Sequence, residues 1–139
     1  MNVKRKYYGI CLSILILILI LGFLFYFMFS GDAGHLNEND YYNIKNRSNV
    51  NLIFYKSECP YCKVGKIEVL KQVKNTKFDT FFINADKKEG LEIAKKYHVK
   101  YAPTMVVIRN NDYKSFLYAH DKGKKIVVEK RKIKEAFEK

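Results

Sequence analysis

An uncharged run covering residues 7–31 restricts the fold of this chain more than any other feature of its sequence. Twenty of its 25 residues are apolar, and within residues 10–29 only Ser13 and Gly22 interrupt the apolar side chains. A helix needs roughly 20 apolar residues to cross the hydrocarbon core of a bilayer. Because the run has no polar face to turn towards water, it predicts a transmembrane anchor over residues 9–29.

The charges on either side of this run predict its orientation. Lys4, Arg5 and Lys6 precede it, whereas residues 31–44 hold three acidic residues and no Lys or Arg. Because basic flanks stay on the cytoplasmic side, we expect a single-pass protein of the cell membrane with a cytoplasmic N-terminus and an extracytoplasmic body. A signal peptide cleaved after Ala33 is the alternative, but the apolar run exceeds the about 7–15 residues usual in such peptides.

Four segments are therefore predicted along the chain. They are a cytoplasmic basic tip (residues 1–8), the transmembrane anchor (9–29), a polar tether (30–48) and a folded domain (49–139). Within the tether, residues 38–47 allow one more short helix. Residues 32–139 hold 23 Lys/Arg and 14 Asp/Glu, a net charge of +9. This charge is spread out and lacks the aromatic-basic stripe of a nucleic-acid module, so no nucleic-acid partner is predicted.

Two of the three cysteines form the motif C-P-Y-C at residues 59–62. Before it, residues 50–55 form a nearly continuous apolar run, which predicts a buried strand. After it, apolar side chains recur at every third position, which predicts one helical stripe: Val64, Ile67, Leu70 and Val73. Pro60 suits a first helical turn. Cys59 is therefore expected at a helix N-terminus, where unpaired backbone N–H groups stabilise a thiolate.

The position of each cysteine suggests its role. Cys59 is the predicted attacking thiolate, and Cys62, one turn further into the helix, is placed to resolve a mixed disulfide. Four neighbours are predicted to support this active site: Glu58, Pro60, Tyr61 and Lys63. The positive charges of Lys63 and Lys66 on the first turns of the helix favour the Cys59 thiolate.

Two structural interpretations compete with a redox role for this pair. Half of a zinc site is one, but a structural zinc needs four ligands, and the three histidines have no suitable spacing. We therefore predict no metal site. A permanent disulfide is the other, although such a short loop restrains the unfolded chain only weakly.

The strand, the C-P-Y-C motif and the helix together resemble the active site of thioredoxin-like proteins. A second motif, V-K-Y-A-P-T-M-V-V-I at residues 99–108, resembles the loop in which this superfamily places a cis-proline beside the dithiol. The resemblance implies that Pro103 is cis and that Ala102, Pro103 and Thr104 bind the substrate backbone next to Cys59.

The remaining segments fit the same resemblance in order. Residues 78–84 read as a strand, 87–97 as a helix with Leu91, Ala94 and Tyr97 inward, 105–118 as a hairpin turning at 110–112, and 129–138 as a helix with Ile133 and Phe137 inward. The expected fold class is α/β, with β-α-β-α-β-β-α topology and a central sheet flanked by helices, preceded by one transmembrane helix.

The sequence departs from the thioredoxin pattern at three places. Glu58 stands where thioredoxins have Trp. Ile53 and Phe82 occupy the positions of their buried Asp and Lys. Glu58 and water are then the candidates that accept the proton of Cys62. The Pro-Tyr pair between the cysteines is typical of glutaredoxins, and similar pairs occur in disulfide oxidases.

These observations predict a membrane-tethered thiol–disulfide oxidoreductase that acts on exported proteins or peptides. The apolar relay positions and the outside location favour oxidation or isomerisation, and the resemblance extends to accessory proteins that form disulfides in exported bacteriocins. No bound cofactor is needed, since a membrane redox partner can exchange the electrons. The alternatives are an envelope disulfide reductant fed by a membrane electron carrier and a non-catalytic adaptor for an export machine.

Overall fold

The computed structural model describes residues 2–29 and 35–138, with side chains described for residues 7–24 and 35–138. The chain separates into two units, residues 1–34 and residues 35–139. The predicted cleavage position after Ala33 lies outside the described residues.

The first unit contains one helix, α1 (Asn2–Phe29), of 28 residues. At 1.5 Å per residue it is roughly 42 Å long. Its stretch Tyr7–Leu24 has a mean hydropathy of 2.6 and is not buried anywhere along its length. Among the described residues, α1 is the one helix that is both long enough and apolar enough to cross a bilayer. Its apolar side chains are exposed, whereas those of a core helix in a soluble protein are buried. A membrane span and a signal sequence both fit these properties.

The second unit contains a four-stranded mixed sheet with helices on both faces. Its elements are α2 (Glu38–Asn43), β1 (Asn49–Tyr55), α3 (Pro60–Val73), β2 (Asp79–Asn84), α4 (Lys88–Lys96), β3 (Thr104–Arg109), β4 (Asp112–Leu117), β5 (Ala119–Lys122), β6 (Lys125–Val128) and α5 (Lys130–Glu138). The strand order is β2-β1-β3-β4, and β5 and β6 form a separate hairpin. Strands β1 and β2 are parallel, a pairing that requires a crossover connection, here through α3. Strand β3 is antiparallel to β1, and β4 is antiparallel to β3. The predicted fold class is confirmed, and the β5–β6 hairpin is added to the predicted order.

The central strand β1 is buried on both faces, which explains its nearly continuous apolar sequence. Leu52 and Phe54 face one side and pack with residues of α4, such as Ile93. Ile53 faces the other side and packs with Val69 of α3 and Ile133 of α5. The alternation of side chains along β1 therefore builds two cores, one on each face of the sheet.

The predicted tether ends earlier than the sequence suggested, because residues 35–48 fold onto the sheet unit. Asn37 caps α2 in a capping box with Asp40. Tyr41 is only 2% exposed, and its ring packs edge-on against Phe81 at 5.8 Å between centroids. The backbone oxygen of Leu36 accepts a hydrogen bond of 2.8 Å from the Phe82 N–H. The predicted extra helix is present, and it belongs to the folded unit.

Two of the four residues in the apolar stripe predicted along α3 are exposed. Val64 and Ile67 are 41% and 62% exposed, and the buried positions are Cys62, Gly65 and Val69. A Cβ at Gly65 would lie 2.5 Å from a ring carbon of Tyr118. The helix turns this glycine inward because only a residue without a side chain allows such a close approach, and a hydrophobic pattern does not reveal it.

Helix α4 shows a smaller correction of the same kind. Ala94 and Tyr97 are buried as predicted, but Leu91 is exposed and Ile93 takes its place in the core. Gly90 is also buried, and a Cβ there would collide with the backbone oxygen of Asn84. The close contact of α4 with the end of β2 rotates Leu91 away from the sheet.

We predict that Gly65→Ala destabilises the protein. Alanine is the better helix former by about 0.8–1 kcal/mol, but overpacking against Tyr118 should outweigh this gain and leave a net loss of about 1–2 kcal/mol. Urea unfolding of the full chain in detergent micelles measures the difference. The matched control is Val64→Ala, at the exposed neighbouring position, which should stay within about 0.5 kcal/mol of the wild type. Equal or higher stability of Gly65→Ala would contradict this packing.

Candidate active site

The dithiol lies where the central strand passes into a helix. Strand β1 ends at Tyr55, and Cys59 is the N-cap of α3, followed by Pro60 in the first turn. The Sγ atom of Cys59 accepts a hydrogen bond of 3.1 Å from the backbone N–H of Cys62. The predicted position of the motif at a helix N-terminus is confirmed, and the N–H that would stabilise a thiolate already points at the Cys59 sulfur.

The two cysteines form a disulfide and differ in exposure. Their sulfurs are bonded, with 5.2 Å between the Cα atoms. Cys62 is only 3% exposed, whereas Cys59 is half-buried. An incoming thiolate therefore has better access to Cys59 than to Cys62, and the division of roles between them stays a prediction.

A loop from β2 supports the turn that leads into Cys59. The Asp86 carboxylate accepts a hydrogen bond of 2.7 Å from the Ser57 N–H, and the Tyr55 carbonyl accepts one of 2.8 Å from the Ala85 N–H. Asp86 was not predicted from the sequence, since a lone Asp after a strand carries no distinctive signal.

The cis-proline loop lies beside the dithiol. The Ala102–Pro103 peptide bond is cis, as the resemblance implied, and the carbonyl oxygen of Ala102 lies 3.9 Å from the Sγ atom of Cys59. The Thr104 hydroxyl donates a hydrogen bond of 2.6 Å to the Tyr101 carbonyl. Thr104 is buried and stabilises this loop through that hydrogen bond, while Ala102 is half-exposed. Substrate binding by these residues stays a prediction.

The remaining predicted supporting residues are placed unequally. Tyr61 is half-buried, and its hydroxyl donates a hydrogen bond of 2.8 Å to Asp121. This bond and the Asp121 charge raise the pKa of Tyr61. Glu58 and Lys63 are exposed, and within residues 35–138 their side chains make no hydrogen bond or ion pair. Their influence on the thiols stays a prediction.

The interior behind Cys62 is apolar. Ile53 and Phe82 are both buried at the positions where thioredoxins carry their polar relay. The Lys66 ammonium lies 5.4 Å from the Tyr55 ring centroid and 5.6 Å from that of Phe82. This places Lys66 over the aromatic surface of the sheet, a position that favours cation–π attraction.

The β5–β6 hairpin was not predicted from the sequence, and its residues line a cleft beside the cis-proline loop. A cleft of about 150 Å³ lies between this hairpin and the cis-proline loop, and Ala102 and His120 are at its edge. Its walls are formed by Tyr61, Tyr101, Pro103, Leu117, Ala119 and Asp121. The signal that could have found the hairpin is Gly123, which has a positive φ of 67° at the turn between short strands.

A second cavity, larger than this cleft, lies away from the dithiol. It has a volume of about 570 Å³ and includes Arg109, Tyr113 and Phe116 in its walls. Arg109 ends β3, and its guanidinium stacks 3.6 Å from the Phe78 ring centroid and donates to the Ala136 carbonyl at 2.7 Å. This arginine ties strand β3 to α5, so its contacts are structural.

His120 connects the hairpin to the start of α5. Its Nδ1 lies 3.0 Å from the Asp121 carbonyl oxygen, and its Nε2 lies 2.8 Å from the Glu129 carboxylate. Since both nitrogens face acceptors, only the doubly protonated ring donates to both. The Asp121 carbonyl and the Glu129 carboxylate accordingly raise the pKa of His120, and the hydrogen bond from His120 lowers the pKa of Glu129.

We predict that this pair makes stability depend on pH. Because the pKa of His120 is raised, its contribution is fully present below the unfolded value of 6.5 and is lost as pH rises through the folded value. The lowered pKa of Glu129 limits the contribution on the acid side, where it disappears below 4.5. Between about pH 6 and pH 8.5 the wild type should therefore lose more unfolding free energy than His120→Gln does.

Urea unfolding at the two pH values and NMR titration of the ring provide the measurements. Glu129→Gln should lower the pKa of His120 towards its ordinary value. The matched control is His98→Asn, at an exposed histidine, which should keep the wild-type pH dependence. A His120 ring that titrates at or below 6.5 would contradict the pairing.

A half-buried sulfur at a helix N-terminus, a buried partner sulfur and a facing cis-proline define a thiol–disulfide oxidoreductase. The thioredoxin family model matches residues 34–132. The chain therefore belongs to the thioredoxin family. No curated protein matches the sequence significantly.

Solved structures show the same fold. Oxidised thioredoxin O2 from Arabidopsis thaliana has a TM-score of 0.53 and 16% identity, with 61% of this chain and 83% of that chain covered. A mutant thioredoxin from Halobacterium salinarum has a TM-score of 0.52 and 20% identity, with 66% and 74% covered. A thioredoxin-like protein from Clostridium perfringens has a TM-score of 0.50 and 20% identity, with 66% and 71% covered. At these identities the likeness concerns the fold alone.

Proposed function

We propose that this chain is a thiol–disulfide oxidoreductase tethered to the cell membrane, with its thioredoxin unit outside the cytoplasm and exported proteins or peptides as its clients. The observation that carries the proposal is the exposed apolar helix that precedes a redox-active dithiol. The basic residues before that helix and the acidic ones after it support the orientation. The tether keeps the dithiol close to the membrane, where exported chains emerge with reduced cysteines.

Oxidation of a client proceeds in two exchange steps. A client thiolate attacks the Sγ atom of Cys59, the bond between the two enzyme sulfurs breaks, and its electron pair leaves on Cys62, which takes up a proton. A second client thiolate then attacks the client sulfur of the mixed disulfide and releases Cys59 as a thiolate. The client gains a disulfide, and the enzyme gains two electrons that a membrane redox partner must remove.

The cis-proline loop is the surface on which we place the client backbone. The carbonyl of Ala102 is within 4 Å of the Cys59 sulfur, so a client segment bound along this loop brings its cysteine to the reacting atom. Pro103 has no N–H and stays buried beneath the segment. Positioning of this kind lowers the entropic cost of bringing the two sulfurs together.

Oxidation or isomerisation is the direction that the site favours. Ile53 and Phe82 are buried and apolar where thioredoxins carry an Asp and a Lys, so neither position supplies a base that takes up the proton of Cys62. The extracytoplasmic location also lacks the thiol buffers that drive reduction. Exported bacteriocin-like peptides are clients consistent with both the apolar relay positions and the extracytoplasmic location.

We predict that Cys62→Ser traps clients as mixed disulfides. In this variant the Cys59 thiolate attacks a client disulfide and displaces one client sulfur as a thiolate, and no Cys62 thiol is present to attack the mixed disulfide and release the client. Non-reducing gels of cells that express the full chain should therefore show reductant-sensitive bands of higher mass. The double variant Cys59→Ser/Cys62→Ser should lose these bands. The matched control Cys11→Ser, in the Cys62→Ser background, should keep them.

Two results would contradict the proposal. Absence of trapped species from Cys62→Ser would argue against exchange with clients, and trapped partners that are resident cytoplasmic proteins would argue against the location. The location has an independent readout, because a membrane-impermeant maleimide should label Cys59 of the Cys62→Ser variant in intact cells. Labelling that requires lysis would reverse the proposed topology.

The direction of the reaction is set by the reduction potential of the Cys59–Cys62 pair. We predict a potential above roughly −270 mV, more oxidising than a thioredoxin reductant. The chain has no Trp, so the oxidised fraction is best measured by alkylation and gel shift after equilibration in glutathione buffers, with Cys11→Ser to remove the third thiol. A value below that limit would favour the alternative, an envelope reductant fed by a membrane electron carrier.

A further inference from the structure

The cleft between the β5–β6 hairpin and the cis-proline loop shares residues with the client-binding loop. Ala102 and Pro103 contribute to its edge and wall, and the carbonyl of Ala102 lies 3.9 Å from the Cys59 sulfur. Since neighbouring Cα atoms of a chain are about 3.8 Å apart, a client cysteine at Cys59 brings an adjacent side chain into reach of the cleft.

The walls of the cleft are mostly apolar and aromatic. Tyr101 is 70% exposed and Leu117 is 40% exposed, while Pro103 and Ala119 form a buried floor. The Tyr61 ring forms a further wall and is held by the hydrogen bond of its hydroxyl to Asp121. An aliphatic stem fits these surfaces, and the two tyrosine rings favour a cation at its end.

Asp121 gives the cleft its charge. The side chains of Asp121 and its partner Ile126 share one face of the hairpin, whereas the paired residues Lys122 and Lys125 lie on the opposite face. Only the neutral Tyr61 hydroxyl donates to the Asp121 carboxylate, and within residues 35–138 this carboxylate makes no ion pair. Its negative charge is therefore not balanced by an ion pair of its own, and the positive charge of His120 at the same cleft is paired with Glu129.

The other carboxylate beside the hairpin is already paired. Glu129 contacts His120 at 2.8 Å and the Lys132 ammonium at 3.5 Å. Asp121 is thus the carboxylate of the hairpin that can attract a cationic ligand, although residues 32–139 as a whole carry a net positive charge of 9.

We propose that this cleft is a specificity subsite for a basic side chain, Lys or Arg, next to the reacting cysteine of the client. The proposal rests on the thiol-exchange function given above and names the clients that the site prefers. The stem of the basic residue packs on Leu117 and the tyrosine rings, and its charge lies at Asp121. Clients with an acidic residue at this position are disfavoured by the same carboxylate.

Peptide exchange rates test the subsite directly. The full chain carrying Cys11→Ser and Cys62→Ser is kept in detergent micelles, so that Cys59 is its single thiol. Each substrate is a short cysteine peptide joined through a disulfide to thionitrobenzoate, with Lys, Leu or Glu immediately before the cysteine in one series and after it in another. The Cys59 thiolate attacks the peptide sulfur, forms the mixed disulfide and releases the coloured thionitrobenzoate thiolate. Each rate is divided by the rate with a small neutral thiol, which removes the intrinsic reactivity of the peptide.

An exposed charge pair changes a rate or affinity by up to about fivefold. We therefore expect the normalised Lys rate to exceed the Leu rate by about threefold, and the Leu rate to exceed the Glu rate by a similar factor, in at least one series. Asp121→Asn, which keeps the hydrogen-bonding shape and removes the charge, should reduce the Lys-to-Glu ratio to less than about twofold. Added salt should reduce the ratio for the unchanged Asp121 protein in the same direction.

Control variants separate this subsite from general electrostatics. Asp112→Asn removes a carboxylate at the start of β4, the far end of that strand from Leu117, and should leave the ratio unchanged. A loss of preference in Glu58→Gln together with its retention in Asp121→Asn would assign the effect to Glu58 and overturn the proposal. Equal normalised rates for all peptides in both series would also overturn it, while thiol exchange itself would stand. No reaction of Cys59 with any peptide would refute the proposed function together with the subsite.

Discussion

The buried ring and backbone of Tyr118 connect the parts of this structure that must meet at the dithiol. The ring packs against Gly65 on the active-site helix, and the hydroxyl donates to the Phe54 carbonyl near the end of β1. The backbone N–H donates to the Pro103 carbonyl at 3.3 Å, and the backbone oxygen accepts from the Glu129 N–H at 3.0 Å. Burial raises the pKa of Tyr118 far above its ordinary value, so this group stays a neutral hydrogen-bond donor. One residue thus fixes the spacing between helix α3, the cis-proline loop, the central strand and helix α5.

The sequence predicts the parts of the site that depend on local chemistry. The motif at residues 59–62 and the apolar run before it identify a strand that passes into a helix, and the Ala102-Pro103-Thr104 segment identifies the facing loop. Each of these signals lies within about ten residues and has one physical reason. Their juxtaposition follows from the resemblance to a known fold, since spacing alone does not bring residues 59 and 102 together.

The parts that could not be predicted depend on contacts between distant residues. Gly65 faces inward because Tyr118, more than 50 positions later, needs the space, and no hydrophobic pattern marks a glycine as a core residue. Tyr41 lies in an Asn-rich polar segment that reads as a tether, but its ring is buried against Phe81 and its hydroxyl lies 2.8 Å from that of Tyr97. The β5–β6 hairpin is short and lysine-rich, so its strands have a weak apolar alternation. Its place beside the active site is shown by the hydrogen bond that Asp121 accepts from the Tyr61 hydroxyl.

The dithiol has polar groups on its open side and apolar side chains at the two positions where thioredoxins carry a polar relay. Behind the buried Cys62 sulfur, the side chains of Ile53 and Phe82 provide no group that can accept or donate a proton. On the open side lie the half-buried Cys59, the helix N-terminus that points an N–H at it, and the Asp121 carboxylate across the cleft. A negative charge on sulfur is therefore stabilised at Cys59 and disfavoured at Cys62.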